Sequence, residues 1–135
     1  MTDITDQLRA LARRYTVAWC SQDPACVAGF FSAEARFCVN EGAPAVGRAE
    51  ITELARGFMT TFPDMVVRMD DLVVRADGAV YHWTLTGTNR GSNGTGRGVC
   101  ISGFEEWTIG SDGLIARSQG HFDSVDYQRQ LGAAP

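Results

Sequence analysis

The sequence from Ala79 to Thr88 reads AVYHWTLTGT. Within it, large apolar or aromatic side chains alternate with polar ones. Side chains of a β-strand point alternately to the two faces of a sheet, so a period of two indicates a strand with one buried face. We therefore expect Trp83 and Leu85 to share an apolar face and His82 to lie on the other, in a structural or interface role.

Similar stretches lie on both sides of this strand, at residues 65–75, 98–109 and 114–123. They are rich in β-branched and aromatic residues and are separated by the turn signals ADG and GSDG and by a glycine-rich bend. Four such strands joined by short turns predict an antiparallel meander.

Before Pro63 the apolar spacing is three to four residues, which indicates helices with one buried face. The first helix is expected from Ile4 to near Cys20. Asp23 and Pro24 are typical of a helix start, so a short second helix should run through Phe30 and Phe31. After a short strand over ARFCVN, a third helix fits residues 47–62 and should stop at Pro63.

Helices followed by strands are typical of an α+β fold, in which the helices pack across one face of the sheet. The length of 135 residues suits one domain. A strongly twisted sheet that wraps around helices leaves a conical cavity, open at one end. The expected fold is therefore a single α+β cone spanning residues 1–135.

Composition restricts the classes of partner. The chain carries 12 basic and 16 acidic residues, a net charge of −4, and has no basic run, which argues against nucleic acid and membrane partners. The N-terminal residues lack the uninterrupted apolar core of a signal peptide, so a cytoplasmic location is expected. The four cysteines do not have zinc-site spacing and are expected to be small buried residues.

Alternation also selects candidate site residues on the last two strands. If Asp123 faces the cavity, His121 and Gln119 face it too, because side chains two apart share a face. On the preceding strand Trp107 favours burial, and Glu105 is drawn inward with it. The cavity would then have aromatic walls, two carboxyls and one imidazole, which suit a flat, partly oxygenated ring.

Other roles are open for several of these residues. Asp123 could instead cap the C-terminal turn, and the histidine beside it could be a structural donor. Glu105 could pair with Arg117 on the neighbouring strand. Tyr15 and Trp19 lie on the apolar stripe of the first helix, so a role in the core competes with a role in the site.

Five short motifs carry a resemblance to a known family through their order and spacing. They are FPD at 62–64, HWTLTGT at 82–88, DGLI at 112–115, HFD at 121–123 and QLG at 130–132. The chain resembles the SnoaL-like polyketide cyclases, within the nuclear-transport-factor-2-like superfamily. This resemblance implies a curved antiparallel sheet wrapped around three N-terminal helices, also called a cystatin-like α+β barrel.

The resemblance also implies a function and a site. It implies a site without cofactor or metal, a homodimer formed through the sheet, and a small apolar or aromatic ligand in the cone. An aspartate at Asp123 would be the acid/base of an intramolecular aldol ring closure, assisted by His121. The expected ligand-binding residues are Tyr15, Trp19, Phe58, Phe62, Trp83, Glu105, Trp107 and Gln119.

A second resemblance, to the ketosteroid isomerases of the same superfamily, is partial. Tyr15 fits the tyrosine that donates to an enolate oxygen there, and Glu105 falls close to the accompanying carboxylic acid. The general-base aspartate, however, would fall at Val39 or Asn40, and neither side chain can abstract a proton from carbon. We therefore expect acid/base carbon chemistry such as cyclisation, dehydration or hydrolysis, with a ligand-binding or partner-docking module as the alternative.

Overall fold

The computed structural model describes residues 3–91 and 94–132, and in them one mixed sheet of six strands packs against helices. The strand order is β2-β1-β6-β5-β4-β3. The elements, in chain order, are α1 Ile4–Cys20, α2 Pro24–Ala28, β1 Phe31–Val39, β2 Ala45–Val46, α3 Gly47–Thr61, β3 Val66–Val74, β4 Gly78–Thr88, β5 Gly98–Ile109, β6 Ile115–Phe122 and α4 Ser124–Leu131.

The two long helices begin and end where the sequence predicts. The Asp3 side chain accepts a hydrogen bond from the Thr5 amide and caps α1. The apolar stripe of α1 is buried, including Tyr15 and Trp19. The last helical residue of α3 is Thr61, two residues before the predicted stop at Pro63.

The second helix is shorter than predicted. It opens at Pro24, with Asp23 accepting from the Ala25 amide, but it ends at Ala28. The prediction that it runs through Phe31 is wrong, because Phe31 is the first residue of β1 and is paired with Ile115 of β6. Burial of Phe31 in the sheet outweighs its apolar spacing with the helix before it.

Strands β3 to β6 form the predicted antiparallel meander. The sheet as a whole is not purely antiparallel, however, because β1 pairs with β6 in parallel. No short turn joins these two strands, since α3 and four strands lie between them in sequence, so hairpin geometry does not fix their direction. The two-residue strand β2 was also not predicted, and it pairs with β1.

The register of the sheet assigns every side chain to one of two faces. Glu105 lies opposite both Tyr81 and Gly120, and Trp83 lies opposite Gly103. We call the face that carries these residues and packs on the helices the inner face. In the core, the ring of Tyr15 meets those of Tyr81 and other inner-face aromatics edge to face.

Two further observations concern the chain as a whole. The prediction of buried cysteines is wrong, since Cys20, Cys26 and Cys100 are exposed and Cys38 is half-buried. Among the described residues, no helix has the length and apolar character needed to cross a bilayer.

Candidate active site

A small cavity lies between the inner face of the sheet and helices α1 and α3. Its volume is about 50 Å³, room for only a few water molecules. It is lined by Trp19, Phe37, Val39, Phe58, Val67, Tyr81, Trp83, Leu85, Ile101, Glu105, Gly120 and Phe122. Nearly all of these side chains are apolar, so the one carboxyl in the wall dominates its chemistry.

That carboxyl belongs to Glu105, which is only 5 % exposed. Three donors converge on its Oε1 atom: the Tyr15 hydroxyl at 2.9 Å, the Trp107 indole at 3.0 Å and the Ser118 hydroxyl at 2.8 Å. The three donors lie on α1, β5 and β6, so three elements together fix the orientation of the carboxyl. Within the described part of the chain, no group donates to the second oxygen, Oε2.

Burial in apolar surroundings raises the pKa of Glu105 above 4.5, and its three hydrogen bonds lower it only in part. Burial, followed by the nearby charge of Glu105, raises the pKa of Tyr15 well above its ordinary value. The Tyr15 phenol therefore stays protonated and keeps donating. Because Oε1 already accepts three hydrogen bonds, a proton taken up by the carboxyl resides on Oε2.

Asp123 does not lie in the cavity wall. It is exposed and forms the N-cap of α4, where Oδ1 accepts from the Val125 amide at 3.0 Å and the Asp126 amide at 3.1 Å. The prediction that Asp123 faces the cavity is wrong, and the alternative of a cap is confirmed. Its catalytic role stays a prediction, without support from this geometry.

His121 also points away from the cavity. Its ring stacks on Phe104 with centroids 4.6 Å apart, and its Nε2 lies 2.7 Å from Oε1 of Glu106. Gln119 is on the same side and donates to the carbonyl oxygen of Asn40 at 2.9 Å. We call this side, opposite the inner face, the outer face.

The register explains why this part of the prediction was wrong. Gly120 lies opposite Glu105, so the residues of β6 that share the inner face are Ser118, Gly120 and Phe122. Alternation was applied correctly but started from Asp123, which already follows the strand. Ser118 and Gly120, on either side of Gln119, are small residues, and this spacing was the indication in the sequence that they share the inner face.

The other predicted site residues divide into three groups. Trp19, Phe58 and Trp83 line the cavity, whereas Tyr15 and Trp107 stand behind it and hold Glu105. Phe62 is fully buried in the core and packs on Tyr127 rather than the cavity. The alternative pairing of Glu105 with Arg117 is wrong, since Arg117 lies opposite Thr108.

The structure also supports the argument against isomerase chemistry. Val39, at the position expected for a general base, is an apolar part of the wall. The Asn40 side chain accepts a hydrogen bond from the Phe122 amide at 2.9 Å, so it ties β1 to the end of β6. Neither residue supplies a carboxylate.

The sheet, the helices on its inner face and the apolar cavity between them define a protein of the ketosteroid isomerase-like or nuclear-transport-factor-2-like fold. The family model of the SnoaL-like polyketide cyclases matches residues 9–131. The chain belongs to this family.

Solved structures agree on the fold. TsrD from Streptomyces laurentii is 26 % identical, with a TM-score of 0.83 over 99 % of this chain and 100 % of that one. A protein from Jannaschia sp. CCS1, provisionally assigned as a SnoaL-like polyketide cyclase, is 16 % identical, with a TM-score of 0.85 over 100 % and 98 %. A protein of ketosteroid isomerase-like fold from Catenulispora acidiphila DSM 44928 is 14 % identical, with a TM-score of 0.80 over 92 % and 93 %. A comparison with curated proteins found none that matches.

Proposed function

We propose that this chain is a small-molecule enzyme that moves a proton on an apolar carbonyl compound, with Glu105 as the acid/base. Membership of the SnoaL-like family supports the general class of a small-molecule enzyme. The observation that carries the specific proposal is Glu105 itself, a buried carboxyl in the cavity wall that three donors hold by one oxygen. This arrangement leaves Oε2 for the ligand.

The proposed step is an aldol-type ring closure. Oε2 of ionised Glu105 removes a proton from a carbon next to a carbonyl group, and that carbon forms a bond to a second carbonyl carbon of the same ligand. Glu105 then returns the proton to the new alkoxide, so no oxidant or reductant is consumed. A raised pKa makes this carboxylate a stronger base than an ordinary glutamate, and such catalysis contributes about 10²–10⁴-fold.

The size of the cavity requires movement of its walls when a ligand binds. Ligand pockets are commonly about 300–1,000 Å³, whereas this cavity is about 50 Å³. Phe58 and Phe122 are lining residues that are also partly exposed. We propose that these aromatic side chains move apart to admit a flat ring.

The test measures proton exchange rather than turnover of an unidentified substrate. The chain is incubated with 2-tetralone in D₂O, and loss of its α-proton signals is followed by NMR. Wild type should accelerate exchange, Glu105→Gln should lower the protein-dependent rate at least about 10²-fold, and Asp123→Asn should change it less than about 2-fold. The rate should rise with pH through the raised pKa of Glu105, because the ionised form is the base.

The opposite pattern of rates would indicate that Asp123, the acid/base implied by the family resemblance, is the catalytic residue. Loss of exchange in Asp123→Asn, with exchange retained in Glu105→Gln, would contradict our assignment. Circular dichroism and unfolding curves of both variants show whether a lost rate reflects lost folding.

A non-catalytic ligand-binding module is the second candidate. It is favoured by the lack of a second carboxyl or imidazole among the residues that line the described cavity. Saturable binding of 2-tetralone without any accelerated exchange would support this function instead. The homodimer through the sheet, the site without cofactor and the cytoplasmic location stay predictions.

A further inference from the structure

Trp83 contributes an indole N–H to the cavity wall, and the glycine opposite it leaves space for its ring. It lies on the inner face of β4, opposite Gly103 of β5. A Cβ at position 103 would be 2.7 Å from Cζ2 of the indole and 2.2 Å from the His121 carbonyl oxygen, so glycine leaves the space that the ring occupies. Phe122 meets the ring edge to face, with centroids 6.1 Å apart.

The indole N–H of Trp83 has no hydrogen-bond acceptor, although the nitrogen is buried. It is the one such side-chain atom in residues 3–91 and 94–132. Trp107 on the next strand provides the contrast, since its indole donates to Glu105 at 3.0 Å. An indole can only donate, and a buried donor without a partner is costly and calls for an explanation.

We infer that the Trp83 indole donates to an oxygen atom of the ligand and so determines specificity. This inference rests on the proposed function, since it concerns the ligand of the same cavity. Trp83 and Glu105 are diagonal neighbours across β4 and β5, a relation that separates two residues by about 7–8 Å, with their Cβ atoms somewhat closer. A ligand that meets both groups carries two oxygen functions at opposite ends of one flat, apolar skeleton.

Two probes that differ by one oxygen test this inference. 6-Hydroxy-2-tetralone has oxygens at both ends of a bicyclic skeleton, and 2-tetralone lacks the hydroxyl. The chain has three tryptophans, and ¹H–¹⁵N spectra resolve one indole signal for each. The signal that disappears in Trp83→Phe identifies Trp83. We expect the hydroxyketone to move this signal downfield at saturation and 2-tetralone to move it less.

The affinities of the two ketones for variant proteins distinguish the contribution of the Trp83 hydrogen bond from that of its ring contacts. Trp83→Phe keeps an aromatic ring but removes the donor, so it should weaken 6-hydroxy-2-tetralone about 10-fold more than 2-tetralone. Trp19→Phe is the matched control, because it removes another indole from the same wall. That variant should weaken both ketones by the same factor.

Three results would overturn the inference: an unmoved Trp83 signal at saturating hydroxyketone, no binding of the hydroxyketone, or equal losses of both ketones in Trp83→Phe. These results are distinguishable from failure of the proposed function, which is measured as α-proton exchange in the same samples. Exchange that depends on Glu105 without a change in the Trp83 signal leaves the enzyme proposal standing and removes this one. A moved Trp83 signal without α-proton exchange supports the role of Trp83 in ligand binding and contradicts the enzyme proposal.

Discussion

Glu105 and Glu106 are adjacent in sequence and chemically identical, yet they lie on opposite faces of the sheet. Glu105 is 5 % exposed and receives three neutral donors in an apolar layer. The side chain of Glu106 is 45 % exposed and faces two basic groups, His121 at 2.7 Å and Arg75 at 4.0 Å. The pleat of one strand therefore separates a candidate catalytic carboxyl from a surface carboxyl.

The properties of these two carboxyls depend on the groups that surround them. Neutral donors orient the Glu105 carboxyl without supplying a full positive charge, so burial still raises its pKa. Exposed ion pairs such as that of Glu106 with Arg75 are screened by water and contribute about 0–1 kcal/mol. One residue type thus gives a buried carboxyl with a raised pKa on the inner face and a solvated carboxyl on the outer face.

The largest expected difference between the two glutamates is in stability. Glu105→Ala leaves three buried donors without their acceptor and enlarges the cavity, so we expect a loss of about 2–4 kcal/mol in the free energy of unfolding. Glu106→Ala should cost less than about 1 kcal/mol. Urea denaturation at neutral pH measures both, and equal losses would show that the three hydrogen bonds contribute little.

The pH dependence of stability is the next largest effect. Because the folded-state pKa of Glu105 is raised, its contribution is fully present below the unfolded-state pKa and is lost as pH rises through the folded value. The loss is about 1.4 kcal/mol for each pH unit that separates the folded and unfolded pKa values. Asp64 and Asp112 have lowered pKa values and contribute with the opposite sign. Relative to Glu105→Gln, which keeps these aspartates, wild type should therefore lose stability as the pH rises above 4.5.

Urea midpoints of the two proteins, measured from about pH 4 to pH 8, test this effect. Glu41→Gln, at an exposed position, removes the same formal charge and serves as the control. Parallel curves for wild type and Glu105→Gln would show that burial does not raise the pKa of Glu105.

Periodic patterns of apolar residues predicted helices and strands correctly where they extended over many residues. The apolar stripe of α1 and the alternation in β4 each extend over many residues, and both elements are confirmed. The parallel pairing of β1 with β6 and the short strand β2 depend on contacts between distant residues, and no local pattern encodes them. Phe31 shows the limit, since its assignment to β1 rather than α2 depends on pairing with Ile115.

The candidate site was predicted in part for the same reason. The burial of Trp107 correctly drew Glu105 inward, because both lie on one face of one strand. The three donors on Glu105 come from α1, β5 and β6. Their convergence on one oxygen depends on the tertiary structure, so no local sequence pattern predicts it. Asp123 was misplaced because a strand end and a helix cap favour the same residue types at one position.

Asp123 gives the smallest and most direct test of that distinction. If it is the cap of α4, Asp123→Ala removes an acceptor of two amides and should cost about 0.5–2 kcal/mol of stability, whereas Asp123→Ser should restore most of it. The rate of 2-tetralone exchange per folded molecule should stay within about 2-fold of wild type in both variants. A rate that falls in both variants while stability is unchanged would instead place Asp123 in the chemistry, and the contrast between the two faces of the sheet would no longer locate the active site.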